Sequence, residues 1–244
     1  MSRMLSTRPI PPHERLIAAL DVPSADAARG LVRSLGDAVS FYKMGLELAT
    51  AGAVLPLLDE LVGAGKRVFL DLKLYDIPET VARAVRTLRG RGASFVTVHY
   101  SDRVLEAACR EAAGEIGILA VTLLTSFDER DLRDLGYPDG VALSSLVAAR
   151  ARRADELGCA GVVASPLEAR GVRAAVGDKL AIVTPGIRPS GGPGGGDDQR
   201  RVATPRSAFE SGADYIVVGR PLRDAPDPRA AALGIQATIA ELFG

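Results

Sequence analysis

The feature that most limits what this chain can fold into is an alternation. Short aliphatic and β-branched runs recur along its whole length, separated by stretches with helical spacing. Eight runs qualify: "LIAALDV" (16–22), "SFYKMGL" (40–46), "RVFLDLK" (67–73), "FVTVHY" (95–100), "GILAVTLL" (117–124), "GVVAS" (161–165), "AIVTPG" (181–186) and "YIVVGR" (215–220). Between them lie segments such as "SADAARGLVRSLGD" and "PETVARAVRTLRGRG", whose apolar residues recur at helical spacing. Ser24 stands at the N-cap of the first and Pro78 in the first turn of the second. Gly65, Gly92, Gly158 and Gly212 stand where helices should end. Strand and helix in regular turn imply a parallel sheet with helices outside it.

Eight such units in 244 residues predict a single-domain α/β protein, a (β/α)8 TIM barrel, an architecture of typically about 250 residues. An open doubly wound sheet is the runner-up. It would carry a glycine-rich phosphate turn after its first strand, and "ALDVPSADAA" has none. The connection from Thr125 to Gly158 is too long for one short helix; it predicts an extra helical turn around "DERDLRDLG" ahead of "SSLVAARARRADELG". No linker divides the chain, so the barrel is expected over 15–244, after a poorly ordered lead-in over 1–14.

The run "RVFLDLKLYDIPET" (67–80) breaks the apolar pattern. Val68, Phe69, Leu70 and Leu72 read as core, yet Asp71, Lys73 and Asp76 follow within the same short stretch. Burying charge is costly unless the charges compensate one another. Barrel enzymes build their sites at the C-terminal ends of the strands, and there the first two strands carry Asp21 and Lys43. Asp71 and Lys73 share a strand face by alternation. A row of alternating sign is therefore expected inside the barrel mouth: Asp21, Lys43, Asp71, Lys73, with Asp76 in the turn beyond. A lysine between carboxylates keeps its proton. It is a poor base and a good positioned acid, which narrows the chemistry toward stabilising and protonating a carbanion.

Two later segments read as an anion site. "TPGIRP" closes the seventh run and leads into the glycine-dense "SGGPGGGDDQRR"; "YIVVGRPL" closes the eighth. The loops after strands seven and eight are the usual phosphate site of this architecture, and Arg offers a bidentate grip beside a glycine backbone. Arg220, the Gly219 backbone and Gln199 are expected to hold a phosphate, with Arg188 at the rim and the 189–198 loop as a lid. No Gly-Lys-Ser/Thr follows, so this is not a P-loop.

Thirty basic against thirty acidic residues leave no formal net charge, which argues against nucleic acid or an anionic membrane as the main partner. No apolar run reaches the roughly 20 residues of a membrane span, and "MSRMLSTRPIPPHER" lacks the apolar core of a secretory signal. Cys109 and Cys159, fifty positions apart, fit no metal or redox spacing and suit a reducing, cytoplasmic setting.

Asp71-Leu-Lys73-Leu-Tyr-Asp76-Ile-Pro-Glu-Thr80 resembles the Asp-x-Lys-x-x-Asp-Ile-Pro-x-Thr signature of the orotidine 5′-phosphate decarboxylase family. "ALDV", "FYKMG", "VTLLTS", "TPGIRP", "DDQRRVATP" and "GADYIVVGRP" resemble its other blocks in order, from about Leu16 to Pro228, and point to the bacterial type. The resemblance implies decarboxylation of orotidine 5′-phosphate to UMP, the last step of de novo pyrimidine synthesis, without metal or organic cofactor. It makes Lys73 the proton donor to the ring carbon and sets Asp71 against the departing carboxylate. It makes Asp21 and Lys43 ribose and network partners, and Thr125 and Ser126 pyrimidine contacts. Arg188, Gln199, Gly219 and Arg220 become phosphate contacts. It also implies a homodimer in which Asp76 and Thr80 reach the neighbouring site.

The chain departs from the family at Leu74 and Tyr75, where Phe and His are more usual, and at "YSDR" (100–103), where small residues are usual. His99 is given no chemical role. Two other readings share parts of the pattern. One is a Mg²⁺-dependent sugar-phosphate decarboxylase or synthase of the same barrel group, for which Glu47 is the candidate extra ligand. The other is a non-catalytic nucleotide-binding barrel.

Overall fold

The computed structural model describes residues 4–189 and 202–244. Eight parallel strands close on themselves in sequence order, with β1 hydrogen-bonded to both β2 and β8. They are β1 Leu16–Ala19, β2 Phe41–Met44, β3 Arg67–Leu74, β4 Phe95–His99, β5 Gly117–Val121, β6 Gly161–Val163, β7 Ala181–Thr184 and β8 Tyr215–Val218. The outer ring is α1 Ala25–Leu35, α2 Leu46–Thr50, α3 Val54–Gly63, α4 Pro78–Leu88, α5 Asp102–Ala112, α6 Glu129–Asp134, α7 Leu143–Glu156, α8 Ala169–Val176, α9 Pro205–Glu210, α10 Arg220–Arg223 and α11 Pro228–Phe243. This is the expected (β/α)8 barrel. Among the described residues no helix is long and apolar enough to cross a membrane.

Local chemistry sets the boundaries. The Ser24 hydroxyl accepts the Ala27 N–H at 3.2 Å and starts α1. Pro78 occupies the first turn of α4, where its missing N–H costs nothing. Asp128 and Asp131 form a reciprocal capping box on α6, the extra turn expected in the long connection. Most strands stop two or three residues before their apolar runs do: β1 ends at Ala19 and β5 at Val121. The trailing residues turn outward into the βα loops. Asp21, expected on the first strand, lies just beyond it for that reason.

Residues facing outward from the strands pack under the helices in the main core. Inward residues form a second, smaller one, whose lower layer is Ile17, Phe41, Phe69, Phe95, Leu119, Ala181 and Tyr215. The ring of Phe95 fits because position 117 is glycine; a Cβ there would sit 2.6 Å from it. Arg67 closes the floor, its guanidinium 4.3 Å over the Phe41 ring and paired with Glu14.

The lead-in is tied down from Met4 onward, against the expectation of poor order over 1–14. The Met4 N–H donates to the Glu210 carbonyl at 3.0 Å, and Arg8 to the Asp178 carbonyl at 2.7 Å. The Ser6 hydroxyl donates to Asp214, a fully buried carboxylate also paired with Arg173. A buried anion needs all its donors, and the lead-in supplies one.

Candidate active site

One layer above the aromatic floor the inward positions change character around the barrel. On β2 and β3 they are Lys43 and Asp71; on β5, β6, β7 and β8 they are Val121, Val163, Val183 and Val217. All line a cavity of about 670 Å³ at the C-terminal mouth. One half of its floor is charged and the other half aliphatic.

The charged half is the expected row. The Lys43 Nζ lies 2.8 Å from the Asp21 Oδ1 and 3.5 Å from the Asp71 Oδ2, and the Lys73 Nζ lies 2.9 Å from that same Oδ2. The inner pair is well withdrawn from solvent, with side chains 10% exposed for Lys43 and 15% for Asp71, against 32% for Lys73. Burial works against the Lys43 ammonium, but Asp71 and Asp21 outweigh it and hold its pKa above the ordinary lysine value. Burial also works against the Asp71 carboxylate. Lys43 and Lys73, with hydrogen bonds from Lys73 and Thr97, more than offset that and carry its pKa below the usual range. Glycine at 45 makes room for this, since a Cβ there would stand 3.1 Å from the Asp21 Oδ1 and 3.2 Å from the Lys43 Nζ.

Simple alternation does not account for how Asp71 and Lys73 meet. The β3–β4 register runs Leu70↔Val96 and then Leu74↔Val98, so four residues of β3 advance against two of β4. The strand bulges there, and Lys73 takes a left-handed backbone, φ 47°. Leu72 and Leu74 still pack on the outer core while Asp71 and Lys73 line the cavity.

Thr125, Ser126, Arg188, Gly219 and Arg220 all line the cavity. Gln199 and most of the 189–198 segment lie outside the described residues. Asp76 and Thr80 do not line it. Asp76 is exposed in the turn after β3, its Oδ1 accepting the Ile77 N–H at 2.6 Å, and it makes no ion pair among the described residues. It is flanked by Tyr75 and Ile77, 68% and 65% exposed.

Two residues were missed by the sequence reading. Arg223 lines the cavity beside Asp21, donating to its backbone carbonyl at 2.9 Å. It follows Arg220 at the spacing that shares a helix face, a signal available in "GRPLR". Thr97 lies beneath Asp71, fully buried, and donates to the Asp71 Oδ1 at 3.0 Å. It is the polar residue of "FVTVH".

The unusual "YSDR" segment is well packed. The Tyr100 hydroxyl donates to Asp102 at 2.9 Å, Arg153 pairs with Asp102 at 2.8 Å, and the Arg150 guanidinium lies 4.7 Å over the Tyr100 ring. None of these side chains lines the cavity. His99 meets the Tyr75 ring edge-on at 5.7 Å; burial, then the nearby Lys73 ammonium, pushes its pKa down. Among the described residues no group of three or more His, Cys, Asp and Glu side chains is arranged to hold a metal ion, and Glu47 is exposed outside the cavity.

A family model described as Orotidine 5′-phosphate decarboxylase / HUMPS family matches residues 14–235. The chain is 54% identical over 244 residues to the orotidine 5′-phosphate decarboxylase of Methylococcus capsulatus, covering 100% of this chain and 99% of the relative. It is 54% identical over 237 residues to that of Rhodopseudomonas palustris, covering 96% and 98%. Among solved structures, orotidine 5′-phosphate decarboxylase from Lactobacillus acidophilus aligns with a TM-score of 0.80 at 33% identity, covering 93% of this chain and 99% of that one.

Proposed function

The chain belongs to the orotidine 5′-phosphate decarboxylase / HUMPS family, and on that premise we propose that it converts orotidine 5′-phosphate to UMP and carbon dioxide. That reaction is the last step of de novo pyrimidine synthesis. The observation that carries the reading is the unbroken row Asp21–Lys43–Asp71–Lys73 on one side of a cavity whose other side is aliphatic.

The ring of the substrate lies over that floor, its carboxylate toward Asp71 and its polar edge toward Thr125 and Ser126. Asp21 and Lys43 take the ribose hydroxyls. Arg188, Gln199, Arg220 and the Gly219 backbone take the phosphate, and Arg223 adds a third guanidinium close by. The bond between ring carbon and carboxylate breaks and leaves its electron pair on the ring carbon as carbon dioxide departs. In water that localised anion is very unfavourable. Here the Lys73 ammonium is already held where the charge appears, so no solvent need reorganise. It then gives its proton to the ring carbon and is reprotonated from solvent. Phosphate binding far from the reacting carbon adds rate as well as affinity where it holds the ring against Lys73. The reaction so drawn needs neither metal nor organic cofactor.

The same reading makes the enzyme a homodimer. Asp76 and Thr80 fall short of their own cavity, and exposed Tyr75 and Ile77 flank Asp76. A second copy covering that turn would bury the apolar pair and receive the carboxylate beside its own Lys73.

The test follows the absorbance of orotidine 5′-phosphate with purified protein in excess EDTA. Turnover is expected, and Lys73→Ala is expected to lower it by at least ~10³-fold while UMP still binds. Activity that requires added Mg²⁺ would favour the metal-dependent branch of the family, and undiminished turnover in Lys73→Ala would remove the proton donor.

A further inference from the structure

We infer that Thr97 is a positioning residue for this decarboxylation: its hydroxyl replaces the ladder bond that the β3 bulge removes, and so holds Asp71 and Lys73 in register with the reacting carbon. The inference rests on the function proposed above.

The bulge sets the problem. Between Leu70 and Leu74 the strand carries two residues more than its partner, so Asp71, Leu72 and Lys73 face β4 without regular pairing. Lys73 also has φ 47°, a region that residues with long side chains rarely occupy. A backbone so placed keeps its conformation only where its surroundings enforce it. Opposite it stands Thr97, the one β4 residue between the paired Val96 and Val98. Its Oγ1 accepts the Lys73 N–H at 2.9 Å and donates to the Asp71 Oδ1 at 3.0 Å. A single buried hydroxyl thereby grips the backbone of the proton donor and the carboxylate that holds the ammonium of that same donor, whose Nζ is 2.9 Å from the other oxygen of Asp71.

The two bonds divide the work. The Lys73 N–H would otherwise lose the ladder partner that the bulge removes, at the residue whose backbone angle aims the side chain. The bond to Asp71 selects one carboxylate rotamer, leaving Oδ2 for Lys43 and Lys73. Serine retains both bonds. Valine has nearly the same shape as threonine and retains neither. A misplacement of about 1 Å at a reacting group can cost on the order of 10²-fold in rate.

Thr97→Val, Thr97→Ala and Thr97→Ser are compared with the wild type, with turnover normalised to UMP-binding sites. Loss of the hydroxyl is expected to lower kcat by at least ~10-fold while KM and UMP affinity stay within about 3-fold, because the phosphate grip is untouched. Serine is expected to bring kcat back to within about 3-fold. Wild-type kcat in the valine or alanine protein, or no rescue by serine, overturns the inference. A merely structural threonine would change the melting temperature and leave kcat per binding site unmoved. Should neither hydroxyl-free protein fold, amide exchange in the wild type decides. The Lys73 N–H is expected to exchange at least ~100-fold more slowly than in an unstructured peptide, and free exchange there overturns the inference. A wild type inert toward orotidine 5′-phosphate would instead sink the assigned reaction, a result the exchange measurement does not share.

Discussion

Asp71 stands between two ammoniums, while Asp21 at the end of the row serves Lys43. Without the Asp71 charge, Lys43 and Lys73 would face one another across a mostly buried floor. The sign of the pH dependence follows from the two shifts. The Asp71 pKa is depressed on folding, so the stabilisation it carries is complete above the unfolded value near ~4 and drains away as the pH falls through the folded one. The Lys43 pKa is raised, so its contribution is complete below about 10.4 and is lost as the pH climbs through its folded value. Asp71→Asn should therefore melt below the wild type at neutral pH, by a difference on the order of 3 kcal/mol. That gap should close as the pH falls below ~4. A gap of equal size at pH 3 and pH 7 would mean that the ionised carboxylate is not what stabilises the row.

These charges were legible in the sequence because an apolar strand has no cheap way to carry them. Thr97 was not, since a threonine in a strand is ordinary until its partner is known to bulge. Cys109 and Cys159 make the same point. Fifty positions apart they fit no motif, yet their sulfurs lie 3.7 Å apart, brought together where α5 packs beside the turn from α7 into β6.

At the scale of elements, the order of the eight strands was legible, because a short apolar run opens every unit; the short helices α2 and α10, which begin at the ends of two such runs, were not. Strand ends were less legible. The runs over 16–22 and 117–124 continue past the ends of β1 and β5, since the βα loops bury Leu20, Val22 and Leu123 too. The β3 bulge left no mark in composition, because it is a register relation between two strands. Arg188 and Arg220 line the mouth from the connections after β7 and β8, whereas the lysines stand on β2 and β3. This separation predicts a separable effect. Arg220→Ala should raise KM for orotidine 5′-phosphate by about 10- to 100-fold, the range for a charge-assisted hydrogen bond. The slow turnover of orotidine, which lacks the phosphate, should be unchanged. An equal loss on both substrates would assign Arg220 to the reacting end instead.

For the whole molecule, the open question is whether one chain makes a complete site. Within the chain, the Asp76 carboxylate turns back on the Ile77 N–H, and among the described residues it forms no ion pair with Lys73, three positions before it, which pairs with Asp71 instead. If a second copy supplies Asp76, two defects carried on different chains can complement each other. In a Lys73→Ala chain the site lacks its proton donor, but Asp76 remains intact for a neighbour. In an Asp76→Ala chain Lys73 is intact and the site waits for a carboxylate from outside. Each homodimer has two broken sites. In a mixed dimer both defects fall in one site and the other is whole. Random reassortment makes half the dimers mixed, so an equimolar mixture should recover about a quarter of wild-type turnover after subunit exchange. Crosslinked homodimers mixed in the same ratio should recover none. Activity that stays at the sum of the two variants, with exchange demonstrated, would mean that each barrel works alone and that Asp76 acts within its own chain.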